Sequence, residues 1–320
     1  MPLTLERYAT YLDTRDLPWP APPEIDPPLA RPHLVRLPDV RAVLWTVYGT
    51  LLHLTGGELY FEHPKEFIMD VALDKTIQEF KMWGAMTRRP GRPADQLREV
   101  YGNILAEQRL LAGSADKHGE VSAERIWETF IKKLFQKDYK FDAGFFGSLN
   151  EYSRKVAYFF HASLQGTVCF PGAAEALRHV KNKGRVQGLL ADTQCFTLVQ
   201  LQRGLSKQDA GVRVDEVIAP TVRALSHEVH ARKPSSRIFR QALHALEEQG
   251  IGAAEVLHIG SHPSRDLAPA RRVGMKTGLF LGDKAAMQVT PDQLKQAIKE
   301  PANRPDVLLT ELTQIAEVIG

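Results

Sequence analysis

The sequence predicts an α/β protein with a doubly wound, mostly parallel sheet and an inserted all-helical domain. From residue 166 onward, helical patterns alternate with short apolar segments, which is typical of βαβ units. Between residues 54 and 165, apolar residues recur with a period near 3.6 and no strand pattern interrupts them. A chain of 320 residues is long enough for one two-layer domain and a smaller second one.

Residues 1–38 are predicted to form an N-terminal arm rather than a domain. Nine of the 20 prolines fall there, and proline removes backbone donors and favours extended chain. The apolar side chains of Trp19, Ile25, Leu34 and Val35 indicate that the arm lies over the folded body.

The first strand is predicted at residues 41–47, within RAVLWTVYGTLL, and it belongs to a core formed by residues 39–53 and 166–320. Residues 54–165 are predicted to form a helical cap with these four helical segments: HPKEFIMDVALDKTIQEFKMW, PADQLREVYGNILAEQRLL, SAERIWETFIKKLF and SLNEYSRKVAYFFHASL. Ser148 and Glu151 form a capping box before the last of these segments.

After the cap, the predicted strands are RVQGLLA, DEVIA, AEVLHIG, KTGLFL and DVLL, each separated from the next by a helical pattern. A further capping signature is predicted at Thr290, Pro291 and Gln293. Open α/β sheets bind ligands at the carboxyl ends of their strands. The ends of the first, second and fourth strands at Thr46, Ala191 and Gly260, and the loop near Ala219, are therefore expected on one rim.

Composition narrows the possible partners. The net charge is only +3, from 41 basic and 38 acidic residues, which is too weak to favour nucleic acid. Two cysteines, Cys169 and Cys195, fit a reducing compartment. The N-terminus has charges where a signal peptide needs an apolar core, and no apolar run reaches the roughly 18 residues of a membrane span. We therefore expect a cytoplasmic protein with neither nucleic acid nor membrane as partner; the sequence predicts no oligomeric state.

Four short motifs follow the predicted strands in order: WTVYGTL, LLAD, ARKPSSRIF and VLHIGSHPSRD. In order and context they resemble the motifs of the haloacid dehalogenase superfamily, and the resemblance covers residues 40 to 320. It implies a Rossmann-like core with a helical cap inserted after the first strand.

The resemblance also implies where the superfamily's chemistry would lie. The family's first motif has a nucleophilic Asp and an acid Asp, where this chain has Thr46 and Tyr48. Its second motif has a Ser or Thr, where this chain has Ala191. Its fourth motif begins with an Asp, where this chain has Ser261. The predicted vestigial cleft comprises Thr46, Tyr48, Thr50, Ala191, Asp192, Lys233, Ser261 and Asp266.

These replacements remove most of the groups that phosphoryl transfer needs. A neutral hydroxyl such as that of Thr46 is a poor nucleophile without a nearby base, and Tyr48 is normally protonated at neutral pH. Only Asp266 and Asp192 would supply charge to Mg²⁺, which prefers several hard oxygen ligands. We therefore expect no catalytic residue, no tight Mg²⁺ site and no cofactor.

Two interpretations remain open for Lys233. It pairs with Asp266, because buried charges need partners, or it holds a small anion together with the loop amides. Thr193 is a second candidate for the hydroxyl absent at Ala191. His258 and His262 lack the spacing of a metal site.

The leading functional prediction is a catalytically degenerate, haloacid dehalogenase-like protein with a binding, regulatory or structural role. One alternative is an active phosphatase on a small phosphorylated metabolite, with Mg²⁺ and a rearranged site using Asp192, Lys233 and Asp266. Another is a non-catalytic binder of an anion or phospho-ligand.

Overall fold

Six parallel strands form the central sheet. A computed structural model of the protein describes residues 1–86, 93–288 and 304–320, together with residues 290, 292 and 299. The strands of this sheet are β1 (Ala42–Trp45), β4 (Val186–Ala191), β5 (Arg223–Leu225), β6 (Val256–Gly260), β7 (Lys276–Phe280) and β8 (Val307–Leu309). A separate two-stranded ribbon consists of β2 (Leu52–His53) and β3 (Val168–Cys169).

The strand order is β5-β4-β1-β6-β7-β8, and every pairing within this sheet is parallel. The first strand lies at the centre, and its four residues are fully buried. An all-apolar strand is expected where helices cover both faces of a parallel sheet. The predicted α/β fold class is confirmed.

The helices before the sheet's second strand are α1 (Leu5–Asp13), α2 (Glu66–Glu79), α3 (Pro93–Ala115), α4 (Ala123–Phe135), α5 (Ala143–Phe146), α6 (Leu149–Leu164) and α7 (Ala173–Asn182). Those after it are α8 (Thr197–Gln208), α9 (Val214–Val217), α10 (Ser226–Val229), α11 (Ser236–Glu247), α12 (Ala268–Arg272), α13 (Lys284–Met287) and α14 (Ile315–Ile319). Short 3₁₀ turns lie at Thr55–Gly57, Met82–Ala85, Pro220–Val222, Ala253–Glu255 and Leu312–Gln314, and a π turn lies at Pro263–Leu267. None of the helices that the structure describes is both apolar enough and long enough to cross a membrane.

Helices α2 to α6 pack around their own hydrophobic cluster, separate from the clusters of the sheet. The predicted capping box of Ser148 and Glu151 is present at the start of α6. Helices α2 to α6 lie between β2 and β3 in the chain, so the ribbon pairs the segments that precede and follow them.

The predicted strand DEVIA is wrong. Val214–Val217 is one turn of helix, with Val214 and Val217 buried and the two acids between them exposed. Apolar residues three apart share a helix face, and the strand at this place is β5, which begins six residues later. The predicted capping signature extends beyond the described residues, since Pro291 and Gln293 lie outside them.

The arm begins with a helix that the proline content does not indicate. Thr4 caps α1 by accepting a hydrogen bond from the Arg7 amide at 3.3 Å. Leu5, Tyr8 and Leu12 are buried against the cap. Residues 17–32 then run without helix or strand.

Candidate functional site

A small cavity lies at the carboxyl ends of the central strands, beneath the cap. Its volume is about 60 Å³, enough for a few water molecules. A pocket of about 530 Å³ beside it shares Lys233, Arg232 and Arg265 with its lining. All but two of the predicted cleft residues line it: Thr46, Tyr48, Asp192, Lys233, Ser261 and Asp266. Thr50 and Ala191 are fully buried and do not reach it.

Lys233 lies at the floor of the cavity and makes an ion pair with Asp266. Its Nζ also donates to Thr46 Oγ1 at 2.9 Å. The second oxygen of Asp266 accepts from the His262 amide at 2.9 Å. The pairing of Lys233 with Asp266 that the sequence indicates is therefore present, and Thr46 is the third member of the group.

Asp266 stays ionised in this arrangement. Burial alone would raise its pKa, but the charge of Lys233, then that of His258 and hydrogen bonds from Lys233 and the His262 amide, lower the pKa to about 2. Asp266 therefore neutralises Lys233 across the whole physiological range of pH.

Tyr48 turns toward the helix that follows the second sheet strand. Its hydroxyl lies 2.9 Å from Thr197 Oγ1 and donates to Gln200 Oε1 at 2.6 Å, both on α8. Burial raises the pKa of this phenol, although the hydrogen bond with Thr197 acts in the opposite direction. Tyr48 is therefore a fixed neutral side chain that forms one wall of the cavity.

The second strand ends in the same cavity. The Asp192 carboxylate accepts from the Lys233 amide at 2.8 Å and from Arg265 Nη2 at 2.8 Å. The Thr193 hydroxyl lies 2.9 Å from His227 Nδ1. Thr193 lines the cavity together with Lys233, and its hydroxyl has His227 as hydrogen-bond partner. Ala191 has no hydroxyl.

Gly49, the glycine of the first motif WTVYGTL, is required by the backbone geometry. Gly49 has a φ of 79°, and a Cβ atom there would lie 2.7 Å from Ser261 Oγ. Only glycine allows the two motif loops to approach this closely.

The sequence did not indicate the charged residues that close the mouth of the cavity. Arg265 Nη1 donates to Glu58 Oε2 at 3.0 Å and to Gln288 Oε1 at 3.1 Å. Gln288 in turn donates to the Gly56 carbonyl at 2.9 Å, and Arg232 lies 3.7 Å from Glu58. Because these partners lie far apart in sequence, no local pattern reveals them; the position of Arg265 beside Asp266 is the only sequence signal.

Glu120, from the loop between α3 and α4, is a second acid that sequence reasoning missed. Its carboxylate accepts from Ser226 Oγ at 2.6 Å and from the Val121 amide at 3.1 Å. Burial raises its pKa to about 7; Arg232 opposes this shift and the charge of Asp192 adds to it. Glu120 thus changes charge near neutral pH at the contact between cap and core.

The cavity residues do not fit a magnesium ion. Asp266 and Asp192 are committed to Lys233 and Arg265, and Ser261 and Thr46 offer only neutral oxygens. Among the residues that the structure describes, no three His, Cys, Asp or Glu side chains gather as a metal-binding group. His258, one of the two histidines considered as metal ligands, is buried in its strand with Nδ1 3.1 Å from the Leu44 carbonyl oxygen, and burial lowers its pKa to about 4.

Comparison with solved structures supports the α/β fold class. Over 88% of the chain, it superposes on 98% of 2-haloacid dehalogenase from Pseudomonas syringae, with a TM-score of 0.51 and 17% identity. A phosphatase of the same superfamily from Thermococcus onnurineus aligns over 88% of this chain and 98% of its own, with a TM-score of 0.47 and 20% identity. No family model matches the sequence.

One curated sequence relative is haloacid dehalogenase-like hydrolase domain-containing protein 3 from Danio rerio. It is 31% identical over 78 residues, which are 23% of this chain and 31% of the relative. The chain therefore matches less than a third of that protein's length, and its activity does not transfer by identity.

Proposed function

Because the chain has the haloacid dehalogenase-like fold, we propose that it is a catalytically degenerate member of that superfamily. In this proposal it acts by binding or as a structural or regulatory component, and its cleft does not transfer phosphoryl groups. The main observation behind the proposal is the Lys233–Asp266 ion pair, in which Lys233 also donates a hydrogen bond to Thr46.

The first support is the absence of an activated nucleophile at the cavity floor. Thr46 Oγ1 accepts a hydrogen bond from Lys233, and a cationic donor makes a hydroxyl oxygen less nucleophilic. The acid beside it, Asp266, is held by Lys233 and stays ionised. A hydroxyl needs a free base within hydrogen-bond reach to attack phosphorus, and none of the described residues supplies one to Thr46.

The second support is charge balance. Three cations line the cavity, Lys233, Arg232 and Arg265. Asp266, Asp192 and Glu58 lie within 4 Å of them. Three carboxylates therefore balance the three cations, and Glu120 adds negative charge above its pKa. A phosphate ester would have to displace existing ion pairs to enter, which disfavours both the phosphatase and the anion-binding alternatives.

The third support is closure. The cap segment at residues 116–123 is hydrogen-bonded to the core by side chains and backbone, including Ser235 Oγ to Asp116 Oδ2 at 2.8 Å. The Arg232 amide donates to the His118 carbonyl at 2.8 Å, and Gly119 pairs with Ala231 as an antiparallel bridge. These contacts fix the cap segment on the core at the rim of the cleft.

A phosphatase screen tests the proposal. We expect the native chain with Mg²⁺ to show no turnover of a panel of phosphoesters beyond that of a buffer control. The triple variant Thr46→Asp, Tyr48→Asp, Ser261→Asp, which restores the acids that the resemblance implies, is the matched comparison. Turnover by the native chain that Asp266→Asn abolishes would overturn the proposal, as would calorimetric Mg²⁺ binding in the micromolar range.

A further inference from the structure

A groove on the cap, outside the cleft, has the size of a ligand site. It encloses about 850 Å³ between the N-terminal arm and the cap helices, within the range of roughly 300–1,000 Å³ that small-molecule sites occupy. The arm contributes Tyr11, Arg15, Leu17 and Pro18 to one wall. None of the predicted cleft residues lines it, so its chemistry is independent of phosphoryl transfer.

Aromatic rings form the floor and the opposite wall. Phe141 stacks on Tyr152 with ring centroids 4.1 Å apart, and Tyr11 meets Phe145 edge-on at 5.3 Å. Tyr152 is buried, whereas Phe141 and Phe145 are half-buried and Tyr11 is 37% exposed. Packed rings that still face solvent offer apolar area to a ligand without a large loss of side-chain entropy.

Two of the groove's four cations already have partners. Arg15 makes an ion pair with Glu79. Lys75 donates to the Pro18 carbonyl and lies 4.4 Å from the centre of the Trp19 ring, a cation–π contact. These contacts fix the arm on the cap and leave Arg15 and Lys75 as part of the wall.

The other two cations, Lys81 and Lys140, are exposed at the groove. Within the described ranges, neither is in an ion pair with a carboxylate. The remaining acid of the groove, Asp142, accepts from the Phe145 amide at 3.1 Å and caps α5. The groove therefore combines an aromatic surface with a net positive charge, since four cations face only the carboxylates of Glu79 and Asp142.

From this complementarity we infer that the groove binds a small amphipathic anion, an aliphatic or aromatic body that carries one carboxylate or sulfonate. The body packs against the rings of Phe141, Phe145 and Tyr11, and Lys81 and Lys140 hold the anionic group. Because the arm forms one wall, the bound ligand also stabilises the arm on the cap. The inference goes beyond the proposed function and does not depend on the state of the cleft.

Displacement of a fluorescent probe from the full chain tests this inference. The probe is anilinonaphthalene sulfonate, and sodium dodecanoate is the competitor. We expect dodecanoate to displace the probe, and the cationic analogue dodecyltrimethylammonium to displace it much less. The double variant Lys81→Glu, Lys140→Glu should weaken dodecanoate binding roughly tenfold, since two surface charge contacts become repulsive.

Two controls keep the test specific. Lys181→Glu with Lys183→Glu changes two exposed lysines at the end of α7, carries the same charge change, and should leave dodecanoate affinity within twofold. Gln78→Trp places a large ring at an exposed groove position and should block binding while the melting temperature stays near that of the native chain. Equal weakening by both lysine pairs, equal displacement by the cationic analogue, or undiminished binding in Gln78→Trp would each overturn the inference.

Discussion

At the scale of single residues, Lys233 is the group on which the cavity depends. It is 3% exposed and contacts both Asp266 and Thr46. A buried charge that loses its partner is costly, whereas replacing both partners is often close to neutral. Lys233 and Asp266 therefore neutralise each other at the cavity floor.

A double-mutant cycle checks this role. Lys233→Met leaves Asp266 buried without a counterion and should lower the free energy of unfolding by about 3–5 kcal/mol at pH 7. Adding Asp266→Asn should recover a large part of that loss, as measured by urea denaturation. If the double variant loses as much stability as the two single variants together, Lys233 and Asp266 do not stabilise each other.

Glu120 makes a second, pH-dependent prediction. Its pKa is raised in the folded protein, so the folded state binds more protons than the unfolded state between about pH 4.5 and pH 7. This group therefore favours folding at the acidic end of that window, and its contribution is lost as pH rises through the folded pKa.

Glu120→Gln imitates the protonated acid. We expect its melting temperature to match the native value near pH 5 and to exceed it near pH 8. Thermal melts across this range measure the difference, and Glu128→Gln, at a cap acid that pairs with Lys132 on the surface of α4, is the control. A constant difference between Glu120→Gln and the native chain at all pH values would contradict the assignment.

At the scale of elements, Gln194 joins the cap to the loop after β4. Its side-chain oxygen accepts from the Ala123 amide at 2.8 Å, and its nitrogen donates to the Val121 carbonyl at 2.8 Å. A glutamine that satisfies two backbone groups of the cap holds the start of α4 on the core.

Gln194→Ala should therefore cost about 2–4 kcal/mol of unfolding free energy, because two backbone groups lose buried partners. Hydrogen exchange should rise locally at residues 120–126 rather than throughout the cap. Gln202→Ala, on α8, also removes a side chain that hydrogen-bonds to two backbone groups, but these belong to Val212 and Val214 of the α/β core. It should leave exchange at residues 120–126 unchanged.

The elements also show where sequence reasoning succeeds. The convergence of the motif loops was predictable, because loops at the carboxyl ends of parallel strands lie on one edge of a sheet. The strands concerned, β1, β4 and β6, are indeed neighbours. The DEVIA segment was not, since five residues fit a helical turn and a strand equally well. The ion pair of Arg265 with Glu58 depends on how the cap docks, and neither residue has a local pattern that encodes it.

At the scale of the whole molecule, the N-terminal arm contacts the cap, the ribbon and the core. Asp13 on α1 pairs with Arg203 of α8 at 2.5 Å, and the Pro23 carbonyl oxygen lies 3.1 Å from His53 Nε2. Further along, the Asp26 amide donates to Asp283 at 2.9 Å. The arm therefore spans cap, ribbon and core in one continuous path.

The arm then reaches the edge of the sheet, at β8. The amide of His33 donates to the Leu308 carbonyl at 2.9 Å, and the Leu308 amide donates back at 2.8 Å, as an isolated antiparallel bridge to β8. An unpaired outermost strand is a template on which other chains can add and aggregate. The proline-rich arm thus occupies the outward backbone groups of Leu308, which another chain would otherwise pair with.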